Sequence, residues 1–226
     1  MIEFKNVSKI YPPNFIGVKN ISLRIKEGEF VSVIGKSGSG KTTLVKLLIA
    51  EEPISHGELK IGDWEITKIK RNEIPFLRRQ IGAVFQDYKL LPKKTIFENV
   101  AYALEVCGIN NKRIGEIVPQ VMRIVGLEGK EDRYPLQISG GEQQRAAIAR
   151  ALVHSPKVLV ADEPTGNLDA LNTQEVIDLL KKINSLGTTV LLVTHNRDVV
   201  NDLKKRVITL EQGLIVADAE HGRYKI

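Results

Sequence analysis

A glycine-rich segment contains the first residues whose types and spacing could do chemistry. It has the spacing G-x-x-x-x-G-K-[ST]. Its residues are Gly35, Lys36, Ser37, Gly38, Ser39, Gly40, Lys41 and Thr42, with Thr43 directly after them. Glycines let backbone N–H groups curl around phosphates, and a helix that begins here adds a favourable dipole. The segment therefore predicts a phosphate loop, in which Lys41 reaches the β- and γ-phosphates and the Thr42 hydroxyl is a ligand of Mg²⁺.

Two acidic residues follow an apolar run further along the chain. Residues 158–161 are apolar, and Asp162 and Glu163 come directly after them. If the run is a buried parallel strand, both carboxylates lie at the carboxyl edge of a sheet, beside the phosphate loop. Asp162 would then belong to the Mg²⁺ shell, and Glu163 would act as general base on the attacking water, or orient it. The ordinary alternative is an acidic pair that caps the next turn.

A third segment places small residues at the start of a predicted helix. Ser139, Gly140 and Gly141 precede Glu142 and a helical pattern that ends near Leu152. Such a start is a possible anion site, because the first backbone N–H groups of a helix have no partner within it. The chain already contains one phosphate loop, so a second anion site calls for a nucleotide from another subunit. A simple helix N-cap at Ser139 is the alternative.

These segments require an α/β framework. Apolar and β-branched patterns predict strands at residues 4–7, 18–25, 30–34, 81–85, 158–161 and 188–193. Helices are predicted to begin at the Gly-Lys-Thr-Thr segment and to occupy residues 96–107, 112–125 and 141–152, with another around Val176–Ile183. Strands that are apolar on both faces and alternate with helices indicate a parallel sheet covered on both sides. The helical region, at about 87–154, is predicted to be inserted into one domain of 1–226.

Composition restricts where the protein acts. The chain has 226 residues, with 42% hydrophobic and 27% charged, which is ordinary for a globular protein. The N-terminus does not look like a signal peptide, and no run reaches the roughly 20 apolar residues that span a bilayer. The single Cys107 fits a reducing compartment. We therefore expect a cytosolic protein that needs a partner to act at a membrane. The net charge of +6 is compatible with nucleic acid, anionic lipid or a solvated surface.

The segment Ile138–Arg145 is similar to the signature sequence of ABC ATPases, and other positions match the same family in order. The resemblance implies ATP as the nucleotide, an aromatic contact from Tyr11 to adenine, and a γ-phosphate contact from His195. It also implies that Gln86 senses Mg²⁺ and the attacking water, and that Asp169 lies in a loop at a dimer interface. The implied fold is a P-loop NTPase core with a parallel sheet, an N-terminal antiparallel β subdomain and an inserted helical subdomain.

Longer stretches resemble the bacterial cell-division ATP-binding proteins of the FtsE family. They include residues 74–82, 84–92, 98–106 and 161–169. The resemblance implies a homodimer that encloses two ATP molecules, an integral membrane partner of the FtsX kind and a position at the cytoplasmic face of the membrane. The pair in that family controls cell-wall hydrolases. The ATPases of lipoprotein-release and macrolide-export systems share much of this sequence, so membership of one of those groups is the alternative.

Other classes of ATP- or GTP-hydrolysing protein fit less well. A P-loop GTPase would need an N-K-x-D segment, which the sequence lacks. A DNA-repair or chromosome-organising ATPase would normally carry long coiled coils or zinc-binding cysteines. A translation-type ABC protein usually carries two ATP-binding domains in one chain, and this sequence has one. No nucleic acid is expected as a partner. A transporter ATPase remains the strongest rival.

Overall fold

The computed structural model describes residues 1–220 and 222. The chain divides into two compact units. One contains Met1–Arg78 together with the chain from Asn184 onward, and the other is Arg79–Ile183. Each unit contains part of the predicted chemistry.

A four-stranded antiparallel sheet opens the first unit. Its strands lie in the order β2-β1-β4-β5, with β1 at Ile2–Tyr11, β2 at Phe15–Ile25, β4 at His56–Ile61 and β5 at Trp64–Glu65. Apolar residues on β1 pair with apolar residues on β2, as Phe4 does with Leu23, and these side chains are buried. This sheet confirms the antiparallel β subdomain expected from the family resemblance. Strand β1 is longer than the predicted residues 4–7 because irregular pairings let it follow both neighbours.

The second sheet of this unit has the strand order β10-β9-β3-β8. Strand β3 is Phe30–Ile34, β8 is Thr189–Val193, β9 is Arg206–Glu211 and β10 is Leu214–Ala219. Strands β8 and β9 both run parallel to β3. Every residue of β3 and β8 is buried, as expected for strands that are apolar on both faces. The described residues of this unit form three α-helices: α1 at Lys41–Leu48, α2 at Ile74–Arg78 and α7 at Arg197–Leu203.

The second unit combines a parallel strand pair with helices. Strand β6 is Ile81–Phe85 and β7 is Val158–Asp162. Between them lie α3 at Ile96–Val106, α4 at Asn111–Ile124 and α5 at Gly140–Leu152, while α6 at Ala170–Ser185 follows β7. The three helices between the strands agree with the prediction to within a residue or two at each end.

Local capping chemistry sets several of these helix ends. Thr95 caps α3 through a reciprocal bond pair with Glu98, and the Asn110 side chain caps α4. Left-handed glycines follow the two helices, Gly108 with φ 78° and Gly126 with φ 71°. In residues 1–220 and 222, no helix has both the length and the apolar character needed to cross a bilayer.

Candidate functional site

The predicted phosphate loop connects β3 to α1 in the first unit. Gly40 is the N-cap of α1 and has the left-handed φ of 103°, with no side-chain cap bond. A Cβ at Gly40 would overlap the Gly17 carbonyl oxygen, so the close approach of these two backbone segments requires glycine. The first N–H groups of α1 thus keep the unsatisfied donors and the positive end of the helix dipole, which attract anions.

Lys41 lies inside this loop with little solvent contact. Its Nζ donates to the carbonyl oxygens of Gly35, at 2.8 Å, and Lys36, at 3.1 Å. The Ser39 hydroxyl is also buried, and the described residues offer it no hydrogen-bond partner. A buried ammonium and an unsatisfied hydroxyl in one loop suit phosphate oxygens, which accept hydrogen bonds from such groups. Thr42, by contrast, is exposed at the start of α1.

Tyr11 ends β1 and lies close to the same loop. A Cβ at Gly17 would stand 2.8 Å from Tyr11 Cε2 and 2.8 Å from Thr43 Oγ1. Gly17 therefore separates the tyrosine ring edge from the first turn of α1, and a larger residue would push the two apart. The fold thus brings Tyr11 and the phosphate loop, both predicted to contact nucleotide, into one neighbourhood.

His195 comes two residues after β8 in the same unit. Val193 of β8 is the register partner of Val33 in β3, and the Thr194 N–H donates to the Val33 carbonyl at 3.1 Å. Because the two strands are parallel, His195 emerges at the sheet edge from which the phosphate loop also leaves. Its side chain is exposed.

The second unit brings Gln86 and the acidic pair to one sheet edge. Phe85 and Asp162 are register partners in β6 and β7, so Gln86 and Glu163 follow paired positions. The Gln86 side-chain amide donates to Asn167 Oδ1 at 3.2 Å, and Asn167 Nδ2 donates to the Gln86 carbonyl oxygen at 3.3 Å. These bonds orient the Gln86 amide relative to the turn that follows the acids.

Glu163 has an unusual backbone conformation. Its φ is 50°, in the left-handed region that non-glycine residues seldom occupy. Such a conformation costs on the order of 1 kcal/mol or more and occurs often at functional sites. The Glu163 carbonyl oxygen accepts a bond from the Gly166 N–H at 3.1 Å, which closes a tight turn directly after β7. The chain therefore changes direction at Glu163, the residue predicted to be the general base.

Ser139 caps α5 through a reciprocal pair of bonds. Its hydroxyl accepts from the Glu142 N–H at 3.2 Å, and the Glu142 carboxylate accepts from the Ser139 N–H at 2.8 Å. The Ser139 N–H holds the pKa of Glu142 below its ordinary value, and Lys130, whose Nζ is 3.1 Å away, acts in the same direction. The N-cap alternative therefore describes part of this segment, while the N–H groups of Gly140 and Gly141 remain in the unpaired first turn.

The beginnings of α5 and α6 approach each other at a glycine. A Cβ at Gly141 would overlap the Asn172 side chain. Asn172 donates from its backbone N–H and from its side chain to the Asp169 carboxylate, at 2.8 Å in both cases. These bonds lower the pKa of Asp169, the backbone N–H having the larger effect. The structure thus brings Ser139–Gly141 and Asp169 into one region of the second unit.

Arg150 lies in α5 outside every motif, yet it holds the loop that follows Gln86. Its guanidinium donates to the carbonyl oxygens of Tyr88, at 2.9 Å, and Lys89, at 2.6 Å. Tyr88 and Lys89 have φ of 54° and 49°, so two successive non-glycine residues are left-handed. Sequence reasoning missed Arg150 because its partners are backbone atoms about 60 residues away. A half-buried arginine on the inner face of a predicted helix would have been the only signal.

The donors predicted for Mg²⁺ are oxygens: the Thr42 hydroxyl, the Gln86 amide and the Asp162 carboxylate. Within the described residues, no group of three or more His, Cys, Asp or Glu side chains is close enough to hold a metal. Hydroxyl, amide and carboxylate oxygens are ligands that Mg²⁺ accepts, together with substrate phosphates and water. The donor set therefore fits a metal that arrives with a nucleotide.

Known proteins resemble the chain over nearly its whole length. The ABC transporter family matches residues 18–166. The chain is 50% identical to the cell division ATP-binding protein FtsE of Bacillus subtilis, over 99% of this chain and 98% of that protein. It is 48% identical to FtsE of Streptococcus pneumoniae, over 99% and 97%. A solved dimeric ATP-binding cassette in a post-hydrolysis state with ADP and Pi has a TM-score of 0.89 at 34% identity, covering 99% of this chain and all of that one.

Proposed function

We propose that this chain, which belongs to the ABC transporter family and to the FtsE group within it, is the ATP-hydrolysing subunit of a membrane-associated cell-division complex. The observation that carries this proposal is the near-complete match to FtsE proteins. Binding and hydrolysis of ATP follow from the family. Control of cell-wall hydrolysis is the proposed use of that energy.

We assign the binding roles as follows. The N–H groups of the phosphate loop and the Lys41 ammonium bind the β- and γ-phosphates of ATP, and Tyr11 stacks on the adenine. Thr42, Gln86 and Asp162 hold Mg²⁺, which neutralises charge that develops on the phosphate oxygens. The uncapped start of α1 supports the first assignment, since it leaves donors and the helix dipole available to an anion.

For hydrolysis, Glu163 accepts a proton from the attacking water, and His195 contacts the γ-phosphate. Gln86 orients the water and responds to the metal. The Gln86–Asn167 bonds support these roles because they orient the Gln86 amide, and the left-handed φ of Glu163 is a strained conformation of the kind that clusters at functional sites.

We further propose that two copies pair head to tail around two ATP molecules. Ser139, Gly140, Gly141 and Glu142 of one copy would face the nucleotide on the phosphate loop of the other, and Asp169 would lie at the interface. Such a dimer is two-fold symmetric. The dimeric state of the similar cassette supports it, as do the donors of Gly140 and Gly141.

The two units are proposed to form one ATP-binding domain, with the helices at about 87–154 as an insertion. The family match spans 18–166 and thus includes residues of both units. At the cytoplasmic face of the membrane, the partner would be an FtsX-like integral protein that docks near Gln86 and the inserted helices. Nucleic acid is not proposed as a partner.

The hydrolysis assignment is tested with Glu163→Gln. This substitution keeps the size of the side chain but removes the base, so turnover should fall ~10²–10⁴-fold while ATP binding is retained. ATP-dependent dimerisation, measured by light scattering, should increase because hydrolysis no longer separates the copies. Near-normal turnover would remove Glu163 from the role.

The partner assignment is tested by charge reversal. Lys93→Glu with Lys94→Glu should reduce recovery of an FtsX-like protein in a pull-down and leave the isolated ATPase intact. The matched control is Lys204→Glu with Lys205→Glu, which makes the same charge change on the other unit. Activation of the ATPase by DNA or RNA, falling steeply with salt, would contradict the proposal and favour a nucleic-acid partner.

A further inference from the structure

The ring of Tyr11 has a buried cation against one face. Lys9 Nζ lies over the ring, 4.9 Å from its centroid. The Lys9 side chain is only 8% exposed. A lysine ammonium is strongly hydrated, so its burial is unfavourable unless other groups replace the lost water. The groups that do so here are both polar and aromatic.

Two further contacts tie this ammonium to the chain beyond α1. Lys9 Nζ is 2.8 Å from the Glu52 carboxylate and donates to the Pro53 carbonyl oxygen at 2.9 Å. Glu52 and Pro53 follow α1, the helix that begins at the phosphate loop. The ammonium therefore connects the exit of that helix to the strand that carries the ring.

The ring also has a defined position toward the entry of the same helix. Gly17 separates Tyr11 Cε2 from Thr43, as described above, and the Phe15 ring lies beside it with centroids 6.2 Å apart and planes tilted by 37°. Tyr11 is thus positioned relative to both ends of α1, by Gly17 at the entry and through Lys9 at the exit.

We infer that Lys9, neutralised by Glu52, is a positioning residue for nucleotide-base binding, which holds the Tyr11 ring at a set distance from the phosphate loop. The inference rests on the proposed contact between Tyr11 and adenine. A cation on one face draws electron density from the ring, and a purine base stacks on the other face. Binding of the nucleotide base should therefore depend on Lys9, while binding of the phosphates should not.

The experiment compares ADP with inorganic pyrophosphate on the full chain by calorimetry. Both probes bind the phosphate loop, but only ADP has a base, and neither needs hydrolysis to be measured. Lys9→Met should weaken ADP binding by about 3- to 10-fold, the range of an aromatic stacking contact that a displaced Tyr11 ring would lose. Pyrophosphate affinity should stay within about twofold of the original. Lys9→Arg, which keeps a cation over the ring, should restore most of the ADP affinity.

Two controls separate a positioning role from a loss of folding. Lys5→Met removes another lysine of β1, one that is exposed and paired with Glu3 and Glu58, and should change neither affinity. The double variant Lys9→Met with Glu52→Gln removes both charges, so it avoids an uncompensated carboxylate and should match Lys9→Met in ADP affinity. Thermal melts of all variants confirm that the protein is folded.

Tyr11→Ala distinguishes this inference from the proposal on which it rests. If Tyr11→Ala weakens ADP and Lys9→Met does not, Lys9 has no positioning role and the adenine contact stands. If Tyr11→Ala leaves ADP affinity unchanged, the adenine contact itself is wrong. Equal losses of ADP and pyrophosphate in a folded Lys9→Met protein would show a general effect on the loop and would also overturn the inference.

Discussion

Two helices of this protein begin in glycine-containing segments of similar appearance, yet their first turns differ in chemistry. Helix α1 begins at Gly40 with no side-chain cap and no acid in the first turn. Helix α5 begins at Ser139 with a reciprocal cap from Glu142, an acid at the positive end of the dipole. The first-turn N–H groups of α1 are available to an anion from outside the chain, whereas some of those of α5 already bond to side chains of the same helix start. Glycine spacing alone does not distinguish these cases.

The largest expected effect is on ATP binding, at the uncapped start of α1. Gly40→Ala would force a Cβ against the Gly17 carbonyl at a left-handed φ, and Lys41→Ala would remove the ammonium from the loop. Each should weaken ATP binding by about 100-fold or more, which corresponds to the loss of one or two charge-assisted contacts. Gly62→Ala is the matched control, since Gly62 is also left-handed, has no atom within 4 Å of an added Cβ and lies outside the phosphate loop. Calorimetry with ATP measures all three, and equal losses would refute the steric explanation.

At the capped helix, Ser139→Arg should have the opposite pattern. ATP should still bind the phosphate loop of the same chain, while the bulky cation blocks the proposed second copy. We expect ATP-dependent dimers to disappear in light scattering and turnover to fall by about 100-fold, as when a transition-state donor is lost. Loss of ATP binding by the monomer would instead place Ser139 at the site of its own chain.

Arg150→Met tests how strongly α5 stabilises the loop after Gln86. The change removes two charge-assisted bonds and leaves two carbonyl groups unpaired, so we expect a loss of about 2–4 kcal/mol in unfolding free energy. Lys89→Gly relieves the left-handed strain but also removes the ammonium that lies 4.0 Å from the Phe85 ring centroid, so the net recovery should be below about 1 kcal/mol. Denaturant unfolding of the single and double variants measures the coupling. Purely additive effects would show that Arg150 does not support the strained loop.

The smallest effect concerns the cap itself and its dependence on pH. The pKa of Glu142 is lowered from its ordinary 4.5, first by the Ser139 N–H. A lowered carboxylate pKa means that the stabilisation is complete above pH 4.5 and is lost as the pH falls below that value. Glu142→Gln should therefore reduce the decline of Tm in acid. The same change at Glu98 serves as the comparison, because that carboxylate caps α3 in the same way.

Removing the hydroxyl of this cap gives a second measurement. Ser139→Ala should lower stability by about 1 kcal/mol, or about 2–4 °C in Tm for a chain of this size. Helix α1 has no equivalent cap to lose. A Tm that does not change in Ser139→Ala would mean that the reciprocal bonds contribute little, and the contrast between the two helix starts would then be mainly electrostatic.

The sequence was most informative where local chemistry and periodicity agree. The strand–loop–helix pattern around Gly35–Thr42, the apolar strands β3, β7 and β8 and the helices α3, α4 and α5 were predicted close to their observed bounds. Strands β4, β5, β9 and β10 were not predicted. Strand β5 has only two residues, and β4 and β10 are largely exposed, whereas β9 has a buried run at residues 207–210 that the prediction missed. Strands β4 and β9 pair with β1 and β3, which are distant in the chain, while β5 and β10 pair with the strand directly before them.

The amino-acid sequence by itself determined the candidate chemistry: a phosphate loop, an acidic pair after a buried strand and a small-residue helix start, in an order typical of one family. Only the tertiary structure decided which of these groups are already satisfied. It placed Glu142 on the Ser139 cap, Arg150 on the loop after Gln86, and the Lys9 ammonium against the Tyr11 ring. The Ser139–Glu142 pair has the S-x-x-E spacing of a capping box, so the sequence could have revealed it. The contacts of Arg150 and Lys9 are made to backbone carbonyl groups and to a ring face, which no spacing rule identifies.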